Sequence, residues 1–480
     1  MLKELFIPQE IHGYTSQFMQ ALLAIHLKGG LPMSDIFTSP IYSVSDDGSG
    51  IARCDGYTVF VKGAVIGDEC KIEITKRNKT YGFGRILEVV KPSPSRVEPI
   101  CPQFKECGGC TLLHTDYETQ LKIKRETVYN ALTRIGGFEN IVVHETTPSV
   151  PNLNYRNKSQ YPVGGTARDI KIGFYAPRSH NVVNSEFCAI ENPDARIILN
   201  AFREWMAKYK IAPYNEEKHI GTIRHIYSRA GESIMIVIVS RTREIEHLDE
   251  LKEMLLSLNT SKPIGGIVVN INSQKTNTIL GKYDYTIYGE KFIYAKIDNI
   301  TYKVNYKSFF QVNPYTTNLL YKKALELCNL TGSETVFDLY CGIGTISLFL
   351  AQNAKKVIGV EIVPEAIEDA KENAKLNSIS NAEFYCGAAE TVCPALIKTG
   401  EKADIVVVDP PRKGCDEVLL QAIGKMKPEK IVYVSCNVAT LARDAKILHE
   451  KYGYELNESF PFDQFPHSMH VEAVSALSLS

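Results

Sequence analysis

ETVFDLYCGIGTISLFLAQNAKKVIGVE, residues 334–361, sets two short apolar runs of strand character, TVFDL and KVIGVE, on either side of a glycine-broken turn and an apolar helical stretch. The unit recurs downstream. AEFYCG (382–387), ADIVVVDPP (403–411) and KIVYVSCN (430–437) each end an apolar run and hand over to a helical pattern. Strands joined by helical crossovers imply a parallel, doubly wound sheet whose ligand sits beyond the carboxyl ends of the strands. The expected fold class is multidomain, with an α/β Rossmann-like domain over 301–480, and function is to be sought at those strand ends.

The first strand runs out into Asp338-Leu-Tyr340-Cys-Gly342-Ile-Gly344-Thr345, and the second ends in Glu361. Two glycines let backbone approach a ligand closely, and an acid closing the second strand can accept both hydroxyls of a ribose. The third glycine of the dinucleotide fingerprint is missing, so a compact ligand fits better than a pyrophosphate. The arrangement resembles the S-adenosylmethionine pocket of class I methyltransferases. Asp409 stands at the mouth of the fourth strand, stiffened by Pro410 and Pro411.

Cys436 ends the fifth strand where a helix begins, so the positive end of the helix dipole is expected to favour its thiolate. A thiol, a methyl donor and an acceptor could share one cleft there. Uracil carbon-5 is a poor nucleophile, and thiolate addition at carbon-6 turns it into an enolate able to take a methyl group. A base is then needed to remove the carbon-5 proton. FDQFPHSMHVEAV (462–474) offers Glu472, with His467 and His470 as rivals.

Upstream, residues 1–37 form a poorly patterned extension with a possible short helix in SQFMQALLAIHL (16–27) and no assignable role. Residues 38–96 alternate short strands with Gly turns and read as a small OB-like β-barrel. Over 51–96, nine Lys and Arg (53, 62, 71, 76, 77, 79, 85, 91, 96) face five Asp and Glu, with Tyr57, Phe60, Tyr81 and Phe83 interleaved. That composition suits an RNA strand held by phosphate pairing and base stacking, or a solvated charged face.

Residues 97–300 read as a central α+β domain. Within it NYRNKSQYPVGGTARDIKIGFYAPRSH (154–180) forms a second candidate RNA surface, from Arg156, Lys158, Arg168, Lys171 and Arg178 with Tyr155, Tyr161, Phe174 and Tyr175. Cys101-x5-Cys107-x2-Cys110, with Gly108 and Gly109 permitting a tight wrap, asks for one more ligand, and Cys188 in SEFCAIENP is the candidate. Zinc accepts such spacings, and sulfur-only ligation also suits an iron–sulfur cluster.

The totals exclude a global basic field, since 54 Lys and Arg against 55 Asp and Glu leave a net charge of −1. No stretch approaches the eighteen apolar residues of a membrane span, and MLKELFIPQE lacks the basic-then-apolar order of a secretory signal. Twelve cysteines, most lying singly within apolar segments, suit a reducing cytoplasm rather than a disulfide framework. No membrane association and no obligate protein partner are expected.

SFFQVNP (308–314), DLYCGIGT (338–345), VVDPPRKG (407–414), VYVSCN (432–437) and FPHSMHVE (465–472) together resemble the RNA uracil-5 methyltransferases, over about residues 38–480. The resemblance implies Cys436 as nucleophile and Glu472 as general base. It implies Gln311, Tyr340, Glu361 and Asp409 as S-adenosylmethionine contacts, with Thr345 a weaker one. The cysteine spacing resembles the [4Fe-4S] site of the branch that methylates 23S ribosomal RNA, and 38–96 resembles the TRAM domain that accompanies it. Both features are usually missing from the bacterial tRNA-acting branch, although some family members with both act on tRNA.

A cytosine-5 RNA methyltransferase would carry a cysteine directly after the proline of the fourth-strand motif, where this chain has Pro411-Arg412. A non-catalytic RNA-binding scaffold would have no need of Cys436, Asp409 and Glu472 together. A redox iron–sulfur enzyme would need an open cluster position or an electron partner that the sequence does not declare.

Overall fold

The computed structural model describes residues 35–479, in two compact units that meet in sequence at Arg96 and Val97. The helix expected in residues 16–27 lies outside the described residues.

In the first unit β1 (Ile36–Pro40), β2 (Ser43–Val44), β3 (Gly50–Cys54), β4 (Tyr57–Val61), β5 (Glu69–Arg77) and β6 (Tyr81–Lys91) form one sheet in the order β1-β5-β6-β4-β3-β2. Strand alternation drives it: Cys70, Ile72 and Ile74 of β5 point inward with Ala52, Val59 and Val61, while the residues between them face out. At Gly84 a Cβ would lie 2.6 Å from Ile72 Cγ2, so close strand packing requires a glycine there. Asp68, fully buried, accepts the N–H groups of Val65 and Ser93 and pairs with Arg96, which fastens the end of the unit to its core.

The second unit opens with α1 (Tyr117–Arg134) and β7 (Val142–Val143). β8 (Lys158–Thr166), β9 (Asp169–Tyr175), β10 (Val182–Asn184), α2 (Asp194–Tyr209), β11 (Ile223–Ala230), β12 (Ile234–Ser240), α3 (Leu248–Leu256), β13 (Ile264–Ile271) and β14 (Tyr283–Gly289) follow. The strands order as β10-β9-β8-β11-β12-β13-β14, with Phe202 and Trp205 of α2 packed on Ile236 and Ile238. A hairpin of β15 (Phe292–Ile297) and β16 (Ile300–Asn305) leads to α4 (Pro314–Cys328).

The last part alternates as expected: β17 (Thr335–Leu339), α5 (Thr345–Ala351), β18 (Lys356–Glu361), α6 (Pro364–Leu376), β19 (Ala382–Cys386), α7 (Ala389–Lys398), β20 (Ile405–Val408), α8 (Glu417–Met426), β21 (Lys430–Ser435), α9 (Val438–Tyr452), β22 (Tyr454–Phe462) and β23 (Glu472–Leu479). Its sheet runs β19-β18-β17-β20-β21-β23-β22-β7, parallel through β21. β17, β18, β20 and β21 are buried on both faces, which is why they read as continuous Val and Ile runs. Among the described residues no helix is long and apolar enough to cross a membrane.

Residues 117–143 depart from the grouping of 97–300 as one segment. Val128, Ala131 and Leu132 of α1 share a core with Leu441, Ala445 and Leu448 of α9, and β7 pairs in parallel with β22. A two-residue strand paired across more than three hundred residues leaves no periodic signal. On the same helix Lys124 is fully buried and ion-paired with Asp463. Lys124→Met alone strands a buried carboxylate and is expected to cost about 3–5 kcal/mol of stability, while Lys124→Met with Asp463→Leu recovers most of it. Urea unfolding of the two variants checks this.

Candidate active site

The reversal of strand order between β17 and β20 opens a crevice at the carboxyl edge of the sheet. Five acidic or thiol side chains collect there because each lies at or next to the end of its strand on this edge. Asp338 is the penultimate residue of β17, Glu361 closes β18, Asp409 follows β20, Cys436 follows β21 and Glu472 opens β23. β23 runs antiparallel to β21 with Ala473 opposite Ser435, so Glu472 and Cys436 sit one step further on, at adjacent strand ends.

The glycine turn is tightly held. Tyr340, Gly342 and Gly344 all have positive φ, at 73°, 56° and 80°, a conformation in which a residue other than glycine is strained. Tyr340 and Cys341 both donate their N–H to Val360 O, and the Glu361 carboxylate accepts from Gly342 N at 3.1 Å and Val363 N at 2.9 Å. Thr345 starts α5, and its hydroxyl accepts from Tyr321 at 3.2 Å. Tyr340 is half-buried, with its side chain packed against the core beside the turn. Gln311, buried two residues before the α4 cap Asn313, accepts from Gln464 Nε2 at 3.3 Å.

The electrostatics run against one expectation. Burial, with Glu472 and Asp409 next in effect, pushes the Cys436 thiol up to about 11, against Arg412 and a backbone N–H. The helix dipole is worth about 0.3–1 kcal/mol, less than the desolvation it has to offset. Cys436 therefore rests as a neutral thiol. Burial also raises Asp338 to about 7, against a hydrogen bond from Ser347. Asp409 rises to about 7 through burial and then through Asp338, and Glu472 is held well above its ordinary range by burial and Asp409. Asp338 Oδ1 is buried without a hydrogen-bond partner.

Of the rival bases, His467 has its ring engaged at Nδ1 by Gln120 Nε2, and His470 stands 3.5 Å from Arg412. Asn437 caps α9 through Ala439 N at 3.2 Å and donates to Arg412 O at 2.9 Å, which ties the DPPR loop to the turn carrying Cys436. Gln464, Tyr321 and Arg412 were not singled out by spacing. Gln464 stands in the quoted FDQFPH stretch, but no periodicity marks a lone polar residue as a clamp.

The sequence pattern of the family described as tRNA (Uracil-5-)-methyltransferase matches residues 228–479, and that of the TRAM domain matches residues 41–87. An uncharacterised RNA methyltransferase of Halalkalibacterium halodurans is 45% identical over 450 residues, 93% of this chain and 97% of that protein. The chain belongs to the tRNA (uracil-5-)-methyltransferase family. It is thus an enzyme of the S-adenosylmethionine-dependent RNA methyltransferases. A Clostridium tetani relative, likewise described as an uncharacterised RNA methyltransferase, is 45% identical over 453 residues, 93% of this chain and 98% of its own. Among solved structures, the Pyrococcus abyssi tRNA (uracil-54, C5)-methyltransferase in complex with S-adenosyl-L-homocysteine superposes with a TM-score of 0.74 at 28% identity, covering 92% of this chain and 100% of that one.

Elsewhere in this methyltransferase the four cysteines at 101, 107, 110 and 188 line one cavity of about 170 Å³, with Phe104, Phe174 and Phe187. Burial raises all four thiols, Cys110 to about 12, and Arg156 acts against it there. Among the described residues no three His, Cys, Asp or Glu side chains come close enough together to hold one metal ion.

The two basic segments divide. In the TRAM domain Phe60, Tyr81 and Phe83 pack edge to face or tilted, with centroids 5.7–6.0 Å apart, and Tyr81 is exposed. In the β8–β9 hairpin, Tyr155 and Tyr161 are core residues, and burial draws Lys158 down to about 7. Strand alternation turns Ser159, Tyr161 and Val163 inward together, leaving Arg168 and Arg178 as the exposed cations.

Proposed function

We propose that this chain transfers a methyl group from S-adenosylmethionine to carbon-5 of a uridine in RNA, through covalent attack of Cys436 at carbon-6, giving 5-methyluridine. The observation that supports this most is the placement of Cys436 and Glu472 at adjacent strand ends beside Asp409, on the edge where class I sheets take their ligand.

When bound, S-adenosylmethionine supplies an electrophilic methyl on a sulfonium. Gln311, Tyr340, Glu361 and Asp409 would hold it, with Thr345 at the edge. Glu361 is the ribose acceptor, and Gln311 is kept in place by Gln464. A positive charge in this pocket favours the charged forms of Asp409, Glu472 and Cys436 together, so the thiolate forms in the loaded site. Cys436 Sγ adds to carbon-6, the electron pair passes to carbon-5, and carbon-5 takes the methyl group. Glu472 then removes the carbon-5 proton, and the returning pair expels Cys436 as thiolate. A target inside structured RNA has to be flipped out to reach the cleft.

The charge logic gives a pH dependence. Asp338 and Asp409 hold their protons to about pH 7 when folded, against 3.8 ordinarily. The folded state then binds more protons between those values, so stability falls as pH rises through that window. The ligand-free protein is expected to melt lower at pH 8 than at pH 6, and S-adenosylmethionine to raise the melting temperature more at pH 8. Thermal scans with and without the donor check both signs.

Cys101, Cys107, Cys110 and Cys188 would hold a [4Fe-4S] cluster. Supporting this, the four thiols line one cavity, and sulfur-only ligation suits such a cluster. Methyl transfer moves no net electrons, and the cluster's part is to organise this region. Anaerobically purified protein is expected to absorb broadly in the visible and to carry about four irons per chain. A colourless protein with one zinc would contradict this.

The cysteine cavity together with the TRAM domain supports 23S ribosomal RNA as the substrate. tRNA is the second reading, favoured by the likeness to the Pyrococcus abyssi enzyme. Mapping 5-methyluridine in a deletion strain decides: loss from 23S rRNA alone is expected, and loss from tRNA alone overturns the choice.

A further inference from the structure

The reaction uses Glu472, yet the loop of residues 463–471 that leads into it is fastened far more heavily than a connector needs. Asp463 pairs with Lys124, whose Nζ also donates to Phe465 O at 2.9 Å. His467 N donates to Gln120 Oε1 at 3.0 Å, and Gln120 Nε2 reaches His467 Nδ1 at 3.2 Å. The same nitrogen donates to Leu112 O at 3.1 Å and Thr115 O at 2.7 Å. His467 O accepts the N–H groups of Thr111 and Leu112, at 2.9 and 3.0 Å, and Met469 N donates to Thr111 Oγ1 at 3.1 Å. His467 itself stands at φ 68°, a conformation that costs a residue with a Cβ about 1–3 kcal/mol and persists only where the surroundings over-determine it.

These contacts come from α1 and from residues that adjoin the walls of the cysteine cavity in sequence. Thr111 directly follows Cys110. Tyr155, whose hydroxyl donates to Pro466 O at 3.3 Å, precedes Arg156, which lines the cavity and donates its N–H to Ile190 O, two residues past Cys188. The cavity and the catalytic loop are thus sewn together from both sides.

The geometry points to Thr111 and Gln120 as positioning residues that couple the four-cysteine site to the general base. They hold His467, and through the loop Glu472, in register with Cys436. This inference rests on the reading of Glu472 as base. Neither residue touches substrate; their effect is on the step after methyl transfer, when the carbon-5 proton leaves.

Thr111→Val removes one acceptor with little change of shape, and Gln120→Met removes the clamp. Both are compared with Glu472→Gln in protein purified anaerobically, with uridine-containing RNA and S-adenosylmethionine. Each is expected to lower kcat about 10- to 100-fold with KM for RNA and donor binding unchanged, and to accumulate a denaturant-stable protein–RNA adduct as Glu472→Gln does. Thr111→Ser restores turnover. Amide exchange across 463–471 quickens in both variants, and in Cys110→Ala, while the β17–β21 strands keep their protection. If Gln120→Met does not fold, Thr111→Val decides alone. Wild-type turnover without adduct in Thr111→Val, beside an adduct in Glu472→Gln, overturns the coupling and leaves the base assignment standing. No adduct from any variant overturns both, and unchanged exchange at 463–471 in Cys110→Ala overturns the link to the cysteines.

Discussion

Cys436→Ala is expected to lower methyl transfer about 10⁴-fold or more, while S-adenosylmethionine binding stays within about twofold. The loss is large because carbon-5 of uracil has no useful nucleophilicity until a bond forms at carbon-6, and among the described residues no other thiol is placed to replace this one: Cys341 and Cys415 are buried, and Cys386 closes β19, the outermost strand on the far side of β17. Donor binding survives because Glu361, Asp409 and the glycine turn hold their places through hydrogen bonds that Cys436 does not make. Removing a neutral thiol leaves the protonation of Glu472 and Asp409 in place, since burial is the first cause of both shifts. Single-turnover transfer of labelled methyl, with donor binding measured by calorimetry, reads the two quantities apart. Turnover near the wild-type rate would remove Cys436 from the reaction.

Glu472→Gln is expected to leave the methyl transfer step nearly intact and to slow release about 10²- to 10⁴-fold, the ordinary worth of a positioned base. The amide keeps the shape of a side chain only 3% exposed, so the ladder of β23 with β21 and β22 is undisturbed. What it cannot do is take the carbon-5 proton. The methylated adduct therefore accumulates, and a denaturing gel shows a slow-migrating protein–RNA species that is weak or absent in the wild type. Rapid release without an adduct would move the base elsewhere, with His470 the nearest alternative by position.

Much of the site was legible because a parallel sheet brings its strand ends to one edge. Asp338, Glu361, Asp409 and Cys436 could be placed from the apolar runs that precede them, and Glu472 from the short strand it opens. Other features carry no local signal. The grip of Gln464 on Gln311 and the packing of α1 and β7 on the C-terminal sheet join residues more than 150 positions apart, so no period or spacing reports them. Tyr155 and Tyr161 read as stacking residues from composition, whereas alternation in β8 and the packing around it make them core. The resting state of Cys436 carries no local signal either, because sequence shows the helix that follows but not the burial and the two carboxyls that act against its dipole.

Mass spectrometry of the nuclease-trimmed adduct from Glu472→Gln tests the central claim most directly. The account predicts a single modified peptide, VSCNVATLAR around Cys436, carrying a uridylate with one added methyl group. An adduct on a different cysteine, or 5-methyluridine formed at the normal rate with no cysteine modified, would contradict it.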